Sequence, residues 1–574
     1  MNIQNVTIEK FRSIKKMSFC LNDITAVVGE NNSGKTSVLR AINAVLNYAY
    51  EEAFFINRRH QYAQKSNTHI TITFNNIPPD ERLSVYTQDG TLTIRFSYIY
   101  SENKRKLYVN KGLNKIPVDD TVLGIISQYV MYVYIPAGRS NKDILWNSDT
   151  IFSKLVLNYA AQYTEKKDLI SGQVRAAADR IHDSVLRKIE SQLGKLYMQG
   201  KHETFNISFP GNLDYTFLIN KLTVSLKEYD KDYPLQECGS GIKSLAVIAM
   251  HRANALLRNG TTILGIEEPE TNLHPQAQKR FMSSLKEAIT GNDSQALFTT
   301  HSTVLIDALS HEDILLIRRV SDSSRGFISI ASKLSPDFWH RYDIEEFKHY
   351  QYFNYRNSDF FFSNFVVLGE SKNDCQVFQR LVEPEIGSKM ADVSFLDAGG
   401  VENIKYPYYL LKELKIPFII VVDRDFFFPY QNNNELNSSR SEQTGLPCYA
   451  DTLKGEEVIQ DIFNTEALKR RLIEANRQGY RKFFEFIKPY GILSMNYCLE
   501  MDLTCSNSAR EKYYSMLNIP PEKRNQKFLL VGNQKGIKKI ERILSIVDDI
   551  PRKSMPESYI KIRKAIVESI DAYI

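Results

Sequence analysis

Residues 26–36 read Ala26-Val27-Val28-Gly29-Glu30-Asn31-Asn32-Ser33-Gly34-Lys35-Thr36, and this stretch limits the fold more than any other. An apolar β-run breaks into a glycine-rich loop, which opens onto the helical pattern Ser37-Val38-Leu39-Arg40-Ala41-Ile42. The spacing G-x-x-x-x-G-K-T is that of a phosphate-binding loop. Gly29 and Gly34 permit backbone torsions that a Cβ would block. The amides of the loop, Asn32 included, and the helix N-terminus then face phosphate oxygens. Lys35 is placed to reach the β- and γ-phosphates, and Thr36 to hold Mg²⁺.

Composition bounds the rest. A chain of 574 residues has room for two to four domains. Its net charge of +6 is too mild to indicate nucleic-acid binding unaided. The six cysteines form no C-x-x-C pair, which argues for reduced thiols and against a disulfide framework or zinc site. The N-terminus lacks a signal-peptide core, and no run of about 18 apolar residues occurs. The expectation is a soluble, cytoplasmic protein with no membrane partner.

Around the loop the chain reads as an α/β ATPase. Residues Asn2 to Cys20 alternate apolar and polar, as an antiparallel strand pair does. His69–Phe74, Leu92–Tyr98 and Tyr129–Ile135 read as further strands, the last ended by Pro136-Ala137-Gly138. From about residue 148 to 205 the pattern turns helical, with Leu155, Ala161, Ile170, Val174, Ile181, Val185, Ile189, Leu193 and Leu196 forming an apolar stripe. This is an insertion whose stripe serves either as intramolecular core or as a dimerisation arm. Strand alternation returns over Thr216–Leu226. Glu237-Cys238-Gly239-Ser240-Gly241 then forms a small-residue turn at a helix start, which is either a second anion site or a simple N-cap.

Thr262-Ile263-Leu264-Gly265-Ile266-Glu267-Glu268-Pro269-Glu270 is an apolar strand ending in carboxylates, as a Walker B strand requires. Glu267 is placed to bind Mg²⁺ and Glu268 to polarise the attacking water. Gln295-Ala296-Leu297-Phe298-Thr299-Thr300-His301 is another strand; its terminal His301 is either a γ-phosphate sensor or a structural residue. Arg12, in the first hairpin, either reaches nucleotide or a neighbouring subunit, or is simply solvated. In its order of motifs this half resembles the ATP-binding-cassette ATPases of the SMC and RecF kind. The resemblance implies ATP as the nucleotide. It places Ser240 and Gly241 in a signature loop that reaches the γ-phosphate held by a second subunit, so that hydrolysis needs two heads. Glu267 stands where the family has Asp. The family's glutamine loop has only Gln61 and Gln64 as candidates.

The character changes after about residue 345, giving an expected division into 1–345 and 346–574, with His349–Phe362 as a linker or docking segment. Phe365-Val366-Val367-Leu368-Gly369 is an apolar strand ending at Glu370; Val393–Leu396 is a second, and Ile416 to Val422 a third, ending in Asp423-Arg424-Asp425. Strands alternating with helices predict a parallel sheet, whose functional residues gather at the carboxyl ends of strands. Residues two apart on a strand share a face, so Asp423 and Asp425 should converge with Glu370. Three clustered carboxylates call for a counter-ion, and magnesium or manganese suits oxygen ligands. Such ions activate water and stabilise the leaving oxygen of a phosphodiester.

This half resembles the Toprim domain of topoisomerases, primases and OLD-family nucleases. That pattern has Gly directly after the catalytic Glu; here Ser371 follows, with Gly369 before. The resemblance makes Asp374 a later acidic ligand; Glu456 and Glu457, before a helix starting near Val458, are either further ligands or acids favoured at a helix N-terminus by its dipole. It also calls for a late lysine near the scissile phosphate: Lys535 in Gly532-Asn533-Gln534-Lys535-Gly536 fits best, with Lys538 and Lys539 as rivals. The two halves in this order resemble the OLD (overcoming lysogenization defect) endonucleases, which act in anti-phage systems including Gabija and retron modules. The resemblance implies an ATP-regulated, metal-dependent DNA endonuclease, at least dimeric. Its partner would be a reverse transcriptase with its reverse-transcribed DNA, or a helicase. The rival readings are a DNA-binding or sensing ATPase with an inert Toprim fold, and a primase or topoisomerase.

Overall fold

The computed structural model describes the chain except for residues 113, 140–149, 162–180, 198–202, 209–221, 229, 258–259, 291–293, 324–325 and 346–357. It divides into two units, Met1–Lys333 and Leu334–Ile574. This places the division slightly before the 345/346 boundary expected from sequence. The reason is local: the backbone amide and hydroxyl of Ser335 donate to Glu413, and Arg341 pairs with the same carboxylate, so both residues belong to the second unit.

In the first unit, β1 (Asn2–Phe11) and β2 (Ile14–Cys20) form the expected antiparallel pair, with Val6, Ile8, Ile14 and Met17 turned into the core. The strand β3 (Ile24–Val28) is buried throughout, as its unbroken apolar run requires, and leads through the phosphate loop into α1 (Lys35–Leu46). Next come β4 (Thr68–Asn75), β5 (Leu92–Ile99), β6 (Lys104–Lys111), β7 (Asn114–Val118) and β8 (Val130–Ile135). Beyond the insertion lie β12 (Thr261–Glu267), β13 (Gln295–Thr300), β14 (Ile314–Asp322) and β15 (Gly326–Ser332).

These strands form one twelve-stranded sheet, ordered β7-β6-β5-β4-β1-β2-β15-β14-β3-β13-β12-β8. Its β14-β3-β13-β12-β8 portion is parallel, and β7 to β2 form an antiparallel meander-like wing.

Within the insertion the structure describes α2 (Ile151–Ala161) and α3 (Arg187–Leu196), followed by a small antiparallel sheet of β9 (Glu203–Ser208), β10 (Thr223–Glu228) and β11 (Lys231–Pro234), which extends beyond it. The stripe residues Leu155, Val185, Ile189, Leu193 and Leu196 are buried within this unit, which favours the intramolecular reading for them. Ile170 and Val174, the start of the Thr216 strand and most of the His349–Phe362 segment lie outside the described residues. The long helix α4 (Ser240–Leu256) precedes β12, and α5 (Pro275–Thr290) follows it.

The second unit carries a four-stranded, wholly parallel sheet, as expected. Its order is β17 (Val393–Asp397), β16 (Phe365–Gly369), β18 (Phe418–Val422), β19 (Ile492–Ser494). The helices α6 (Lys372–Ile386) and α7 (Lys405–Glu413) follow β16 and β17. After β19 come the short helices α8 (Leu499–Leu503) and α9 (Gln534–Ile537), then α10 (Ile540–Asp549) and α11 (Glu557–Tyr573). Tyr559, Ile562, Ile566 and Ile570 of α11 close the core against Val377 and Phe378 of α6. All six cysteines are free. Among the described residues, no helix is long and apolar enough to cross a membrane.

Candidate functional site

The phosphate loop has the strained backbone its glycines permit. Gly29 and Gly34 lie at φ +146° and +109°, and Asn32 is also left-handed at φ 61°. A Cβ on Gly29 would stand 2.0 Å from the Ile317 carbonyl oxygen, and one on Gly34 would stand 2.9 Å from Ser329 Oγ. Both glycines are therefore fixed by space as well as by torsion. Lys35 Nζ donates to the carbonyls of Gly29 (2.9 Å) and Glu30 (2.7 Å). Burial lowers its pKa to about 8, against the pull of Glu268, Glu270 and Glu30. The loop is thus a closed cradle whose cation lies folded on its own backbone, and its donors fit a triphosphate. Thr36 sits next to Lys35 in the first turn of α1.

The Walker B carboxylates stand at the end of β12, as the sequence places them. Tyr134 Oη donates to Glu267 Oε1 at 2.7 Å, and the Ala137 amide to Oε2 at 3.2 Å. Glu268 has a left-handed backbone (φ 41°), held by its amide to Thr299. His301 closes β13; burial lowers its pKa, and the nearby charge of Lys35 acts the same way while that of Glu268 opposes them. Lys35, Glu268 and His301 are therefore gathered on one side of the parallel sheet. Ser240 and Gly241 open α4, and Ser240 is exposed. Gly241 packs so tightly that an added Cβ would lie 2.5 Å from the Asn272 carbonyl. Among the described residues no hydrogen bond ties Ser240 to the phosphate loop.

Two residues escape sequence reasoning here. Arg139 follows the Pro136-Ala137-Gly138 break and binds the Glu267 carbonyl, the Glu268 carbonyl (2.8 Å) and Ser244 Oγ (2.8 Å). It ties the Walker B turn to α4. Glu270 accepts the His301 amide at 2.7 Å. The strand break before Arg139 was the one available signal. Gln61 donates to the carbonyls of Gln64 and Ser66, so its amide is engaged in its own turn. Arg12 is half-buried; burial and the nearby charge of Arg40 lower its pKa, and Glu51 and Glu267 also act on it.

In the second unit, β16 and β18 are neighbours with Gly369 opposite Val421, so Glu370 and Asp423 emerge side by side at their carboxyl ends. One carboxylate oxygen from each of Glu370, Asp423 and Asp425 lies within 4.8 Å of the others. The convergence of the aspartates has a different cause from the one the sequence suggests. The strand ends at Val422, and a 3₁₀ turn over Arg424–Phe426 brings Asp425 round.

The Asp423 amide donates to Glu370 Oε2 (3.2 Å), while Asp423 Oδ1 is buried without a partner. Burial, then the charges of Asp425 and Asp374, raises the pKa of Glu370 to about 7. Asp423 is raised well above the carboxylate range by burial and by Glu370, Asp374 and Asp425. Three mutually repelling carboxylates and an orphaned oxygen fit a hard divalent cation such as Mg²⁺ or Mn²⁺.

Asp374 lines the same cavity but stands outside this trio. Its Oδ2 accepts from the Ser371 amide (2.8 Å) and hydroxyl (2.6 Å), forming a capping box at the start of α6. Ser371, standing where the family pattern has Gly, is used as a helix cap. Glu457 pairs with Lys405 at 2.8 Å and does not line the acidic cavity. Lys535 is exposed on α9 and does not line it either. The cavity, of about 260 Å³, is instead lined by Lys538 and by a carboxylate that sequence reasoning missed, Glu500, which pairs with Lys538 at 3.4 Å. Tyr430 also lines it and donates to Asp425 Oδ2 at 3.2 Å. Only the short strand β19, with no sequence signature of its own, delivers Glu500 to this place.

A phosphate-loop ATPase unit followed by a Toprim unit with a carboxylate trio defines the class: an ATPase–Toprim protein. The family comparison agrees. The AAA ATPase domain model matches residues 1–306, and the overcoming-lysogenization-defect protein-like Toprim model matches residues 361–425. The chain belongs to the AAA ATPase domain family, and its second unit is similar to OLD-like Toprim domains. An OLD nuclease of Thermus scotoductus is 24% identical over 463 residues, covering 77% of this chain and 85% of its own. The Old nuclease of Escherichia phage P2 is 22% identical, covering 74% and 78%. Endonuclease GajA of Bacillus cereus is 22% identical, covering 74% and 75%.

Proposed function

We propose that this protein is an ATP-regulated, divalent-metal-dependent DNA endonuclease acting in defence against phage. The observation that carries the reading is the convergence of Glu370, Asp423 and Asp425 in one cavity with Lys538. The names of its relatives, an OLD nuclease and endonuclease GajA, point the same way. Glu370, Asp423 and Asp425 would hold the metal, and a metal bound there supplies an activated water and charge stabilisation at a phosphodiester. Lys538 meets the phosphate charge, and Glu500 sets the position of Lys538. In the ATPase unit Gly29, Asn32, Gly34, Lys35 and Thr36 bind ATP and its magnesium. Glu267 serves that metal, Glu268 orients water, and His301 senses the γ-phosphate. Ser240 and Gly241 complete the site of a second copy. The intact trio speaks against an inert Toprim fold.

The test is plasmid cleavage with Mg²⁺ or Mn²⁺, with and without ATP. Loss of cutting in Asp423→Ala supports the reading, and Lys35→Ala reports which way ATP acts. Cutting that survives Asp423→Ala overturns it. The self-association and neighbouring-gene readings (a reverse transcriptase with its DNA, or a helicase) rest on family resemblance. Mass in solution and co-purification test them.

A second reading draws on one observation, the Tyr430 hydroxyl beside Asp425. A strand-attacking tyrosine of a topoisomerase would stand there. A covalent protein–DNA adduct lost in Tyr430→Phe would favour it; its absence supports hydrolysis by water.

A further inference from the structure

The first unit has another pocket, open to the surface and of about 230 Å³, away from the phosphate loop. It lies beside Thr262, at the start of β12, whereas the Walker B carboxylates stand at that strand's other end. The helix α4 contributes Arg252, α3 contributes Lys195, α5 contributes Ser284 and Glu287, and Ser294 precedes β13. The remaining wall is mostly aliphatic.

Arg252 is the anomaly. It is only 5% exposed, yet among the described residues no hydrogen bond or ion pair reaches it, and its Nη1 is buried without a partner. Burial alone lowers its pKa to about 10, still far above neutrality, so the guanidinium is charged. Arginine presents five donors in a fixed fork, and buried arginines are ordinarily paired with an acid. Removing a charge from water without a partner is among the least favourable things a fold can do. Glu287, the acid on the wall, is exposed and forms no ion pair with Arg252.

We propose that this cavity binds a small oxyanion of the phosphate class on Arg252. A planar fork matches a tetrahedral oxyanion bidentately. Thr262, Ser284 and Ser294 supply hydroxyl donors, and the exposed Lys195 adds charge at the edge. The volume holds a phosphate with few further atoms. Arg252 lies roughly 18 Å along α4 from Ser240, at ~1.5 Å per residue. The bound oxyanion therefore sits on the helix that carries the signature turn, and it joins that helix to α3 of the insertion.

The test is thermal unfolding of the full chain, titrated with inorganic phosphate at constant ionic strength. Every protein carries Lys35→Ala, so that the phosphate loop contributes little. The expected result is a saturable rise in Tm on the order of 1–3 °C. The rise is lost when Arg252→Gln is added, and that protein melts at least as high as its parent without phosphate. Ala288→Met, which fills the cavity from α5, also loses the rise. No saturable rise in the parent, or an equal rise with Arg252→Gln, overturns the proposal. Should Arg252→Gln fail to fold, the Ala288→Met comparison decides: an undiminished rise overturns the proposal, and a lost one supports it.

Discussion

The Asp423 amide is hydrogen-bonded to Glu370 Oε2 at 3.2 Å, while one oxygen of the Asp423 carboxylate is buried with no partner. One strand end thus holds the neighbouring carboxylate in place and leaves an acceptor unused. The arrangement is unfavourable without a cation and favourable with one. Asp423→Asn is expected to reduce cleavage on the order of 10²-fold or more. It should also raise Tm in EDTA, because a buried carboxyl that ionises in the unfolded chain but is held protonated in the fold is gone, and abolish the stabilisation that Mg²⁺ gives the wild type. Differential scanning calorimetry with and without Mg²⁺ checks both signs.

The same crowding sets a pH dependence. Burial and the charges of Asp425 and Asp374 lift Glu370 from 4.5 to about 7. A carboxyl raised in the folded state contributes stability that is complete below about pH 4.5 and lost as pH rises through about 7. In EDTA, Tm should fall by about a few °C between pH 5 and 7.5 from this group. Mg²⁺ competes with the proton, so saturating Mg²⁺ should flatten the profile. An unchanged profile in Glu370→Gln would contradict the assignment.

Lys538 and Lys535 differ in place, not in type. Both are exposed, but Lys538 lines the acidic cavity and pairs with Glu500, whereas Lys535 does not line it. Lys538→Ala should slow cutting about 10²-fold, the scale of a lost charge-stabilising donor. Lys535→Ala should change it about twofold at most. Single-turnover rates on the same plasmid separate the two.

Ser371 and Asp374 form a cap, so their loss should register as stability. Ser371→Ala is expected to cost about 1 kcal/mol, as other N-cap losses do. Metal titration of its cleavage activity should stay close to wild type. A large shift in the metal requirement would instead make Asp374 a ligand.

Arg139 joins the carbonyls of Glu267 and Glu268 to Ser244 on α4. Arg139→Ala should lower ATP turnover about tenfold or more while leaving ATP binding at Lys35 within about threefold. Steady-state hydrolysis alongside nucleotide-binding titration distinguishes turnover from binding.

Much of this was legible in order and pattern. The apolar runs of β3, β12, β13, β16 and β18 mark strands buried on both faces, and a carboxylate, a histidine or a glycine loop at the end of each fixes where chemistry sits. The phosphate loop, Glu267, Glu268, His301, Glu370 and Asp423 could therefore be placed from local signals. Glu500, Lys538 and Arg139 could not. Glu500 follows β19, whose three residues are too short for any periodicity, and Lys538 lies on the surface face of a helical stretch that looks like many others. Ser371 read as a departure from a pattern because its partner, three residues on, becomes visible only as a folded cap.

The sequence by itself determined the strand ends, the loop that cradles phosphate and the carboxylates available to a metal, because these depend on residue types at short spacing. Tertiary structure decided which groups meet. Sheet order sets β16 beside β18 and β19 beside β18, so Glu370, Asp423 and Glu500 share a cavity although up to 130 positions separate them. It also engaged Asp374 in a helix cap at the wall of that cavity and left Arg252 without a partner. Such outcomes follow from non-local packing and desolvation, which act on distances in space and leave no spacing in the chain to read.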